Sequence, residues 1–365
     1  MKRAGIAVIK EAVKLAIAKR LPFYAYALPE TETVKMSVSV NSGVSETGLE
    51  SGTGFIFFPY KPGDRPALFI KDDLVISGEK ELHALYGIPP QRVETEPRPN
   101  TASTYGAYCD GAGALLEKLR SGAIKKAVYS RTCEYGCPAL EYAPDWFESV
   151  VGTYPSAFRF IISVPGTATW MGATPELLLE YDGGRIATMA LAATRANSEK
   201  RGWSIKEEEE QQIVAEYIKG VFQEAGIAPE VFPREELQAG PVTHLCNRIS
   251  AKEITFGKAR ELLAKLHPTP AVCGVPVSEA AASIADAEKR SRRYYSGYLG
   301  PVEKGKSFSL FVNLRSMELF SDRVQLYVGG GLTAGSEIRS EWEETEHKAA
   351  TLLSCIDQKD EYYHR

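Results

Sequence analysis

The C-terminal part of the chain brings two carboxylates and an ammonium group close to a glycine run. Glycines occupy positions 329–331 after an apolar strand, and Glu341, Glu344 and Lys348 follow on a predicted helix. We expect the backbone N–H groups of the glycine run to be free and to lie near these side chains. This combination is typical of a site for a small anion and a metal ion.

The spacing of the three helical side chains places them beside the protein interior. Glu341, Glu344 and Lys348 form an i, i+3, i+7 row along the edge of an apolar face that continues from Ala349 to Ile356. On spacing alone, Glu344 and Lys348 also fit an ordinary i, i+4 ion pair on the surface.

A second acidic helix begins with four consecutive glutamates, Glu207–Glu210. A charge run of this kind usually lies in solvent. The apolar positions between residues 213 and 221, however, define a helix face that passes back through Glu210 and Glu207. Two inward acids on each of two helices would be costly without a cation, and oxygen-only ligands suit Mg2+.

The composition excludes several classes of protein. The chain has 365 residues, of which 44% are hydrophobic and 25% charged, as is usual for a soluble enzyme. A net charge of −4 without a basic block argues against a nucleic-acid partner. No apolar run reaches the roughly 18 residues of a membrane span, and the N-terminal segment lacks the apolar core of a signal peptide. The six cysteines show no metal-ligand spacing, so we expect reduced thiols in a cytoplasm.

Strand-like runs and helical periodicity predict an α+β protein, a single large domain of antiparallel sheets covered by helices over residues 1–365. Short turns at Pro165-Gly166, Asp182-Gly183-Gly184 and Ser321-Asp322 join strands into hairpins. The segment Arg98–Thr101 is the best candidate boundary and is short enough for an ordinary loop. The predicted strands are 54–59, 67–76, 126–132, 157–164, 167–171, 177–181, 308–319 and 324–328, and the predicted helices are 5–19, 104–121, 142–151, 205–225, 257–265, 278–285 and 341–357.

Two further ionisable side chains stand at the entry to apolar strands. Lys126 begins one strand, where removal from water favours the uncharged amine. Glu176 follows Pro175 at the entry to another, where burial would raise its pKa and let it act as an acid. On spacing alone, Lys126 would instead be a surface lysine at a strand end.

Taken in order, these segments resemble the chorismate-utilising enzymes, whose members make isochorismate, salicylate, anthranilate and aminodeoxychorismate. The resemblance covers residues 120–350, whereas residues 1–100 contain no motif that we can name. The matching segments are Lys126–Arg131, Gly172–Leu179, Leu191–Arg195, Glu207–Val214, Thr243–Leu245, Leu266–Ala271, Arg292–Gly297, Leu314–Ser316, Val328–Gly331 and Glu341–Lys348. The resemblance implies the fold of the anthranilate and aminodeoxychorismate synthases.

Within the family, the chain resembles the isochorismate synthase branch. Lys126 stands where water-adding members carry a lysine and aminating members do not. The segment 190–194 is similar to the Leu-Ala-Gly-Thr of the water-adding members, with Ala193 where glycine is usual. Gln211 stands where histidine usually follows the metal-binding glutamate.

The resemblance also implies roles for individual residues. Lys126 would be the base that activates water, and Glu176 the acid that protonates the leaving ring hydroxyl. Magnesium would be bound by Glu210 and Glu344. Glu207 and Glu341 would bind the metal through water, and Thr194 and His244 would contact the ring. The groups that would bind the enolpyruvyl carboxylate are Tyr295, Arg315, Lys348 and the N–H groups of Gly329 and Gly331.

Three alternatives stay open at this point. A salicylate synthase would share these residues and carry the reaction on to the loss of pyruvate. An aminating anthranilate or aminodeoxychorismate synthase would need a glutaminase partner, and a chorismate-binding protein without activity is the third alternative. For an isochorismate synthase we expect no obligate protein partner, a monomer or weak homodimer, and a product that feeds menaquinone or siderophore synthesis.

Overall fold

The computed structural model describes residues 5–40, 44–45, 48–93, 102–239 and 242–356. The candidate boundary Arg98–Thr101 lies outside these ranges. The helices are α1 (Ile6–Ala18), α2 (Glu79–Gly87), α3 (Tyr105–Arg120), α4 (Ala139–Thr153), α5 (Ile205–Glu224), α6 (Phe256–Leu266), α7 (Val277–Glu288) and α8 (Ile338–Ile356). The strands are β1 (Phe23–Ala27), β2 (Val34–Val38), β3 (Val44–Ser45), β4 (Gly54–Phe58), β5 (Leu68–Lys71), β6 (Leu74–Val75), β7 (Lys126–Gly136), β8 (Phe158–Val164), β9 (Ala168–Thr174), β10 (Leu177–Asp182), β11 (Arg185–Ala196), β12 (Glu230–Val231), β13 (Glu235–Ala239), β14 (Val242–Ala251), β15 (Gly274–Val275), β16 (Tyr298–Glu303), β17 (Ser307–Val312), β18 (Ser316–Leu319) and β19 (Arg323–Leu332).

Two antiparallel sheets form the centre of the protein. The first has nine strands in the order β15-β7-β19-β18-β9-β8-β1-β2-β6. The second has ten strands, in the order β12-β14-β11-β10-β17-β16-β4-β5-β3 with β13 paired to β14. The three predicted hairpins join β8 to β9, β10 to β11 and β18 to β19. The predicted α+β class is therefore confirmed.

Alternating side chains determine which face of each sheet meets the helices. In β1, Phe23, Ala25 and Ala27 pack into a core with α1, α2, α4 and α8, whereas Tyr24 and Tyr26 pack into an aromatic core between the sheets. Helices α5 and α6 cover the outer face of the ten-stranded sheet. The protein thus has four layers, in the order helix, sheet, sheet, helix. None of the helices in the described residues is long and apolar enough to cross a membrane.

The strand predicted at 308–319 is in fact two strands in different sheets. Strand β17 belongs to the ten-stranded sheet and β18 to the nine-stranded sheet. The chain passes between them at Arg315, whose φ of 47° lies in the left-handed region. Asn313 and Arg315 interrupt the apolar residues at this point, but no Gly or Pro marks a break, so the sequence predicts one continuous strand. The strand predicted at 67–76 divides between the two sheets in the same way, as β5 and β6.

The glycine run at 329–331 is also different from the prediction. Strand β19 continues through it to Leu332, and all three glycines pair with residues of β7. The run is therefore part of a sheet and not a turn between a strand and a helix. Which of its N–H groups remain free depends on the hydrogen-bonding alternation of the ladder.

Candidate active site

A cavity of about 320 Å³ lies between the two sheets, where residues of β7, β11 and β19 meet the first turns of α5 and side chains of α8. All of the predicted site residues except Glu341 line it. Those that do are Lys126, Glu176, Thr194, Glu207, Glu210, His244, Tyr295, Arg315, Gly329, Gly331, Glu344 and Lys348.

Lys126 lies in the wall of this cavity with almost no access to solvent. It is the first residue of β7, its side chain is 1% exposed, and its Nζ lies 3.0 Å from Oε1 of Glu210. A Cβ atom at position 331 would lie 2.5 Å from the same Glu210 oxygen. Glycine is therefore required at position 331 to leave room for the ion pair.

Glu176 provides the second buried ionisable group. It lies between β9 and β10 and is 4% exposed. Burial raises its pKa to about 8, with the nearby charge of Lys126 acting in the opposite direction. A pKa above the usual range favours the protonated carboxyl group, which is the form that a proton donor needs.

Each of the four carboxylates predicted to bind metal has a cationic partner of its own. The shortest N–O distances are 2.7 Å for Glu207 and Arg201, 3.0 Å for Glu210 and Lys126, 3.0 Å for Glu341 and Lys206, and 2.6 Å for Glu344 and Lys348. Within the part of the chain that the structure describes, no three acidic, His or Cys side chains converge on one point. The carboxylates are near one another but are not assembled into a common cluster.

The four acids also differ in their surroundings. Burial raises the pKa of Glu341, although Lys206 opposes this rise. For Glu344, burial also favours the neutral acid, but the ion pair with Lys348 outweighs it and lowers the pKa. Glu207 contributes to the N-terminal capping box of α5, where the N–H and hydroxyl groups of Ser204 donate to its Oε2, while its Oε1 accepts from Arg201.

His244 is held as a neutral imidazole in the wall of the cavity. Its Nδ1 lies 2.9 Å from the carbonyl oxygen of Ala193, which can only accept, so Nδ1 carries the hydrogen. Its Nε2 then accepts from Nη2 of Arg315, at 3.4 Å. Burial, followed by the charge of Arg315, lowers the pKa of His244 to about 3. The Oγ1 atom of Thr194 lies 3.2 Å from Nδ1, so the two residues assigned to the ring are in contact.

A bulge in β11 sets the position of Thr194. The register of β11 against β14 shifts between Ala192 and Thr194, and the intervening Ala193 has a φ of 60°. This left-handed conformation favours glycine, which accounts for the usual glycine at this position. Gln211, the other departure, is fully buried and donates to Asn247 at 2.7 Å. It packs behind the cavity.

Two N–H groups of the glycine run point away from β7. The N–H groups of Ser130 and Val128, which pair with Gly329 and Gly331, donate to acceptors outside β19, at 2.8 and 2.6 Å. These are therefore non-hydrogen-bonded pairs, and the glycine N–H groups face the other edge of β19, beyond the end of β18. Lys348 reaches this edge and donates to the Gly329 carbonyl oxygen at 2.9 Å.

Two cationic residues of the cavity wall, Arg201 and Lys206, were not predicted. Helical spacing was the available signal for Lys206, because it precedes Glu210 by four positions and lies on the same side of α5. Arg201 belongs to the irregular segment before α5, where no periodicity indicates direction.

Residues 77–354 match a family described as chorismate binding enzymes. Isochorismate synthase MenF of Haemophilus influenzae is 27% identical over 291 residues, which cover 77% of this chain and 66% of the relative, just under two thirds of its length. In solved structures, Escherichia coli MenF, a menaquinone-specific isochorismate synthase, has a TM-score of 0.76 at 18% identity and covers 94% of this chain and 91% of its own. Anthranilate synthase component I of Streptococcus pneumoniae has a TM-score of 0.64 at 17% identity, with 90% and 89% covered. These structural similarities confirm the predicted fold.

Proposed function

Because this chain belongs to the chorismate binding enzyme family, we propose that it is an isochorismate synthase. It would convert chorismate to isochorismate by adding water beside the ring carboxylate and releasing the ring hydroxyl. The observation that carries the proposal is that Lys126 and Glu176, both buried, line the same cavity. The reaction needs one group that accepts a proton and another that donates one.

The proposal assigns one proton transfer to each of these two residues. Lys126, once it has lost the proton of its ammonium form, takes a proton from water as the water oxygen bonds to the ring. The ring double bonds shift, and the bond to the hydroxyl at the far end of the diene breaks. Glu176 gives its proton to that hydroxyl, which leaves as water. The substrate and product have the same formula, and exchange with solvent restores both side chains.

Cationic and N–H groups at one side of the cavity would hold the enolpyruvyl carboxylate. Arg315 and Lys348 supply the positive charge, and the N–H groups of Gly329 and Gly331 are directed away from β7. Tyr295 stacks on Tyr327 with ring centroids 5.6 Å apart. Neutral His244 would contact the ring without adding a charge.

We further propose that the enzyme requires magnesium. Magnesium prefers oxygen ligands, and the acidic side chains of the cavity provide carboxylate oxygens. Glu210 and Glu344 would hold the ion, with Glu207 and Glu341 acting through water. When bound, it would neutralise the ring carboxylate and the charge that develops there.

Product analysis tests the function directly. Chorismate incubated with the protein and magnesium should give isochorismate as the main product by chromatography. Salicylate with pyruvate would identify a salicylate synthase. Failure to consume chorismate, despite measurable binding, would identify a binding protein. If isochorismate is the product, it would be available for menaquinone or siderophore synthesis.

The choice of nucleophile gives a second prediction. When the protein is incubated with chorismate and ammonium, we expect no substantial formation of anthranilate or aminodeoxychorismate. The reason is that Lys126 occupies the position that would activate water. Anthranilate fluorescence and chromatography of the amino products provide the measurement. Amination at a rate comparable with isochorismate formation would move the protein to the aminating class.

A third prediction concerns the close approach at Gly331. Gly331→Ala should reduce turnover by about 10²-fold or more while changing the melting temperature little, because the new methyl group displaces the flexible end of Glu210 and not the backbone. The matched control is Gly335→Ala, whose Cβ would meet nothing within 4 Å. Equal activity of the two variants would show that the contact with Glu210 has no catalytic consequence.

A further inference from the structure

Lys206 connects the two helices that carry the proposed metal ligands. It lies in the first turn of α5, and its Nζ is 3.0 Å from Oε1 of Glu341 on α8. Glu341 is 4% exposed, whereas the Lys206 side chain is 43% exposed. The lysine therefore reaches from solvent to a buried carboxylate, and it also lines the cavity.

Lys206 lies close to more than one acid. Its Nζ contacts Glu341, and Glu210 and Glu344 line the same cavity as Lys206. These three carboxylates come from both acidic helices. The ammonium group thus lies in the field of the acids that the proposed function assigns to magnesium.

We propose that Lys206 is a resident counter-cation of the acidic site, and that a divalent ion must displace it from Glu341 to bind. The inference rests on the proposed function for the identity of the acids. It accounts for the direction of Glu341, which is held toward Lys206 and does not line the cavity. Two cations cannot occupy the same carboxylates without repulsion.

The consequence is that Lys206 sets the metal affinity of the free enzyme. Removing its charge should leave Glu341 available to the ion and strengthen metal binding. A residue that merely stabilised the helix would have no such effect. Metal binding should also free the Lys206 amine, which can be detected without any substitution.

The first measurement uses Mn2+ as the probe and the electron paramagnetic resonance of free Mn2+ as the readout, at pH 8 without substrate. Lys206→Gln keeps a hydrogen-bond donor but removes the charge, and should bind Mn2+ about tenfold more tightly than the parent. Lys219→Gln is the matched control. Lys219 lies on the same helix, is 44% exposed and has its own ion pair with Glu216, yet it does not line the cavity.

The second measurement follows the parent protein. Acylation of lysine amines, quantified by peptide mass spectrometry, should increase at Lys206 when Mn2+ is added and stay constant at Lys219. This arm decides the question even if Lys206→Gln folds poorly. Tighter Mn2+ binding together with increased labelling would support the displacement.

Two outcomes would overturn the inference in different ways. If the parent binds Mn2+ but neither the affinity of folded Lys206→Gln nor the labelling of Lys206 changes, Lys206 does not compete with the ion, and the metal role of the acids stands. If no form binds Mn2+, the metal requirement in the proposed function fails together with the inference.

Discussion

Glu344→Gln and Glu210→Gln should abolish isochorismate formation while leaving the protein folded. Each change removes one negative charge that the ion requires. Loss of metal stabilisation worth several kcal/mol corresponds to more than about 10³-fold in turnover. The measurement is the rate of isochorismate formation at saturating magnesium, with melting temperature recorded for each variant.

Neighbouring glutamates on the same helices provide matched controls for these two variants. Glu343→Gln on α8 and Glu209→Gln on α5 remove the same charge from exposed side chains outside the cavity. Both should remain close to the parent in activity. Full activity of the parent in excess chelator would contradict the metal requirement, whatever the variants do.

Lys126→Gln and Glu176→Gln should each reduce turnover by about 10²–10⁴, the usual contribution of one positioned acid or base. Both substitutions keep the approximate size of the side chain and remove its proton transfer. Chorismate affinity should change much less, because the carboxylate contacts are assigned to Arg315 and Lys348. Turnover and binding are measured separately, with exposed Lys125→Gln as the control for a charge lost at the same strand entry.

The pH profile distinguishes the acid from the base. Burial raises the pKa of Glu176 to about 8, so its acidic form is present below that pH and is lost above it. The value of kcat/KM for the parent enzyme should therefore fall as pH rises through about 8. The variant Glu176→Gln should lack this fall. If Glu176→Gln keeps the same falling limb, another group is the acid, and near-parental turnover of Lys126→Gln would remove the base assignment.

The sequence was sufficient to predict the helices of the site and the direction of their acids. The predicted helix at 205–225 corresponds to α5 at Ile205–Glu224. The apolar positions between residues 213 and 221 repeat at the helical period and therefore fix the orientation of the helix. As predicted, Glu207 and Glu210 are largely buried and Glu208 and Glu209 are exposed.

Other features depend on contacts that a local pattern does not contain. Strands β11 and β14 pair along their lengths, yet their polar and small residues gave no clear alternation. Strand β14 was therefore not predicted, and β11 was implied only by the turn at Asp182-Gly183-Gly184. Lys126 and Lys206 lie far along the chain from the acids that they pair with, and only Lys348 had a helical spacing that indicated its partner. The assignment of Lys126 and Glu176 to one cavity came from resemblance, since their separation in sequence implies no contact.

The crossing of the chain at Arg315 makes the active site a seam between two independently hydrogen-bonded sheets. Arg315 reaches His244 of the ten-stranded sheet, while Gly329 and Lys126 belong to the nine-stranded sheet. Each sheet can keep its own backbone hydrogen bonds when the two sheets move apart, but the residues of the site would then be separated from one another. Catalysis therefore depends on the packing of the two sheets against each other. Under denaturing conditions, activity should be lost before the secondary structure of the sheets.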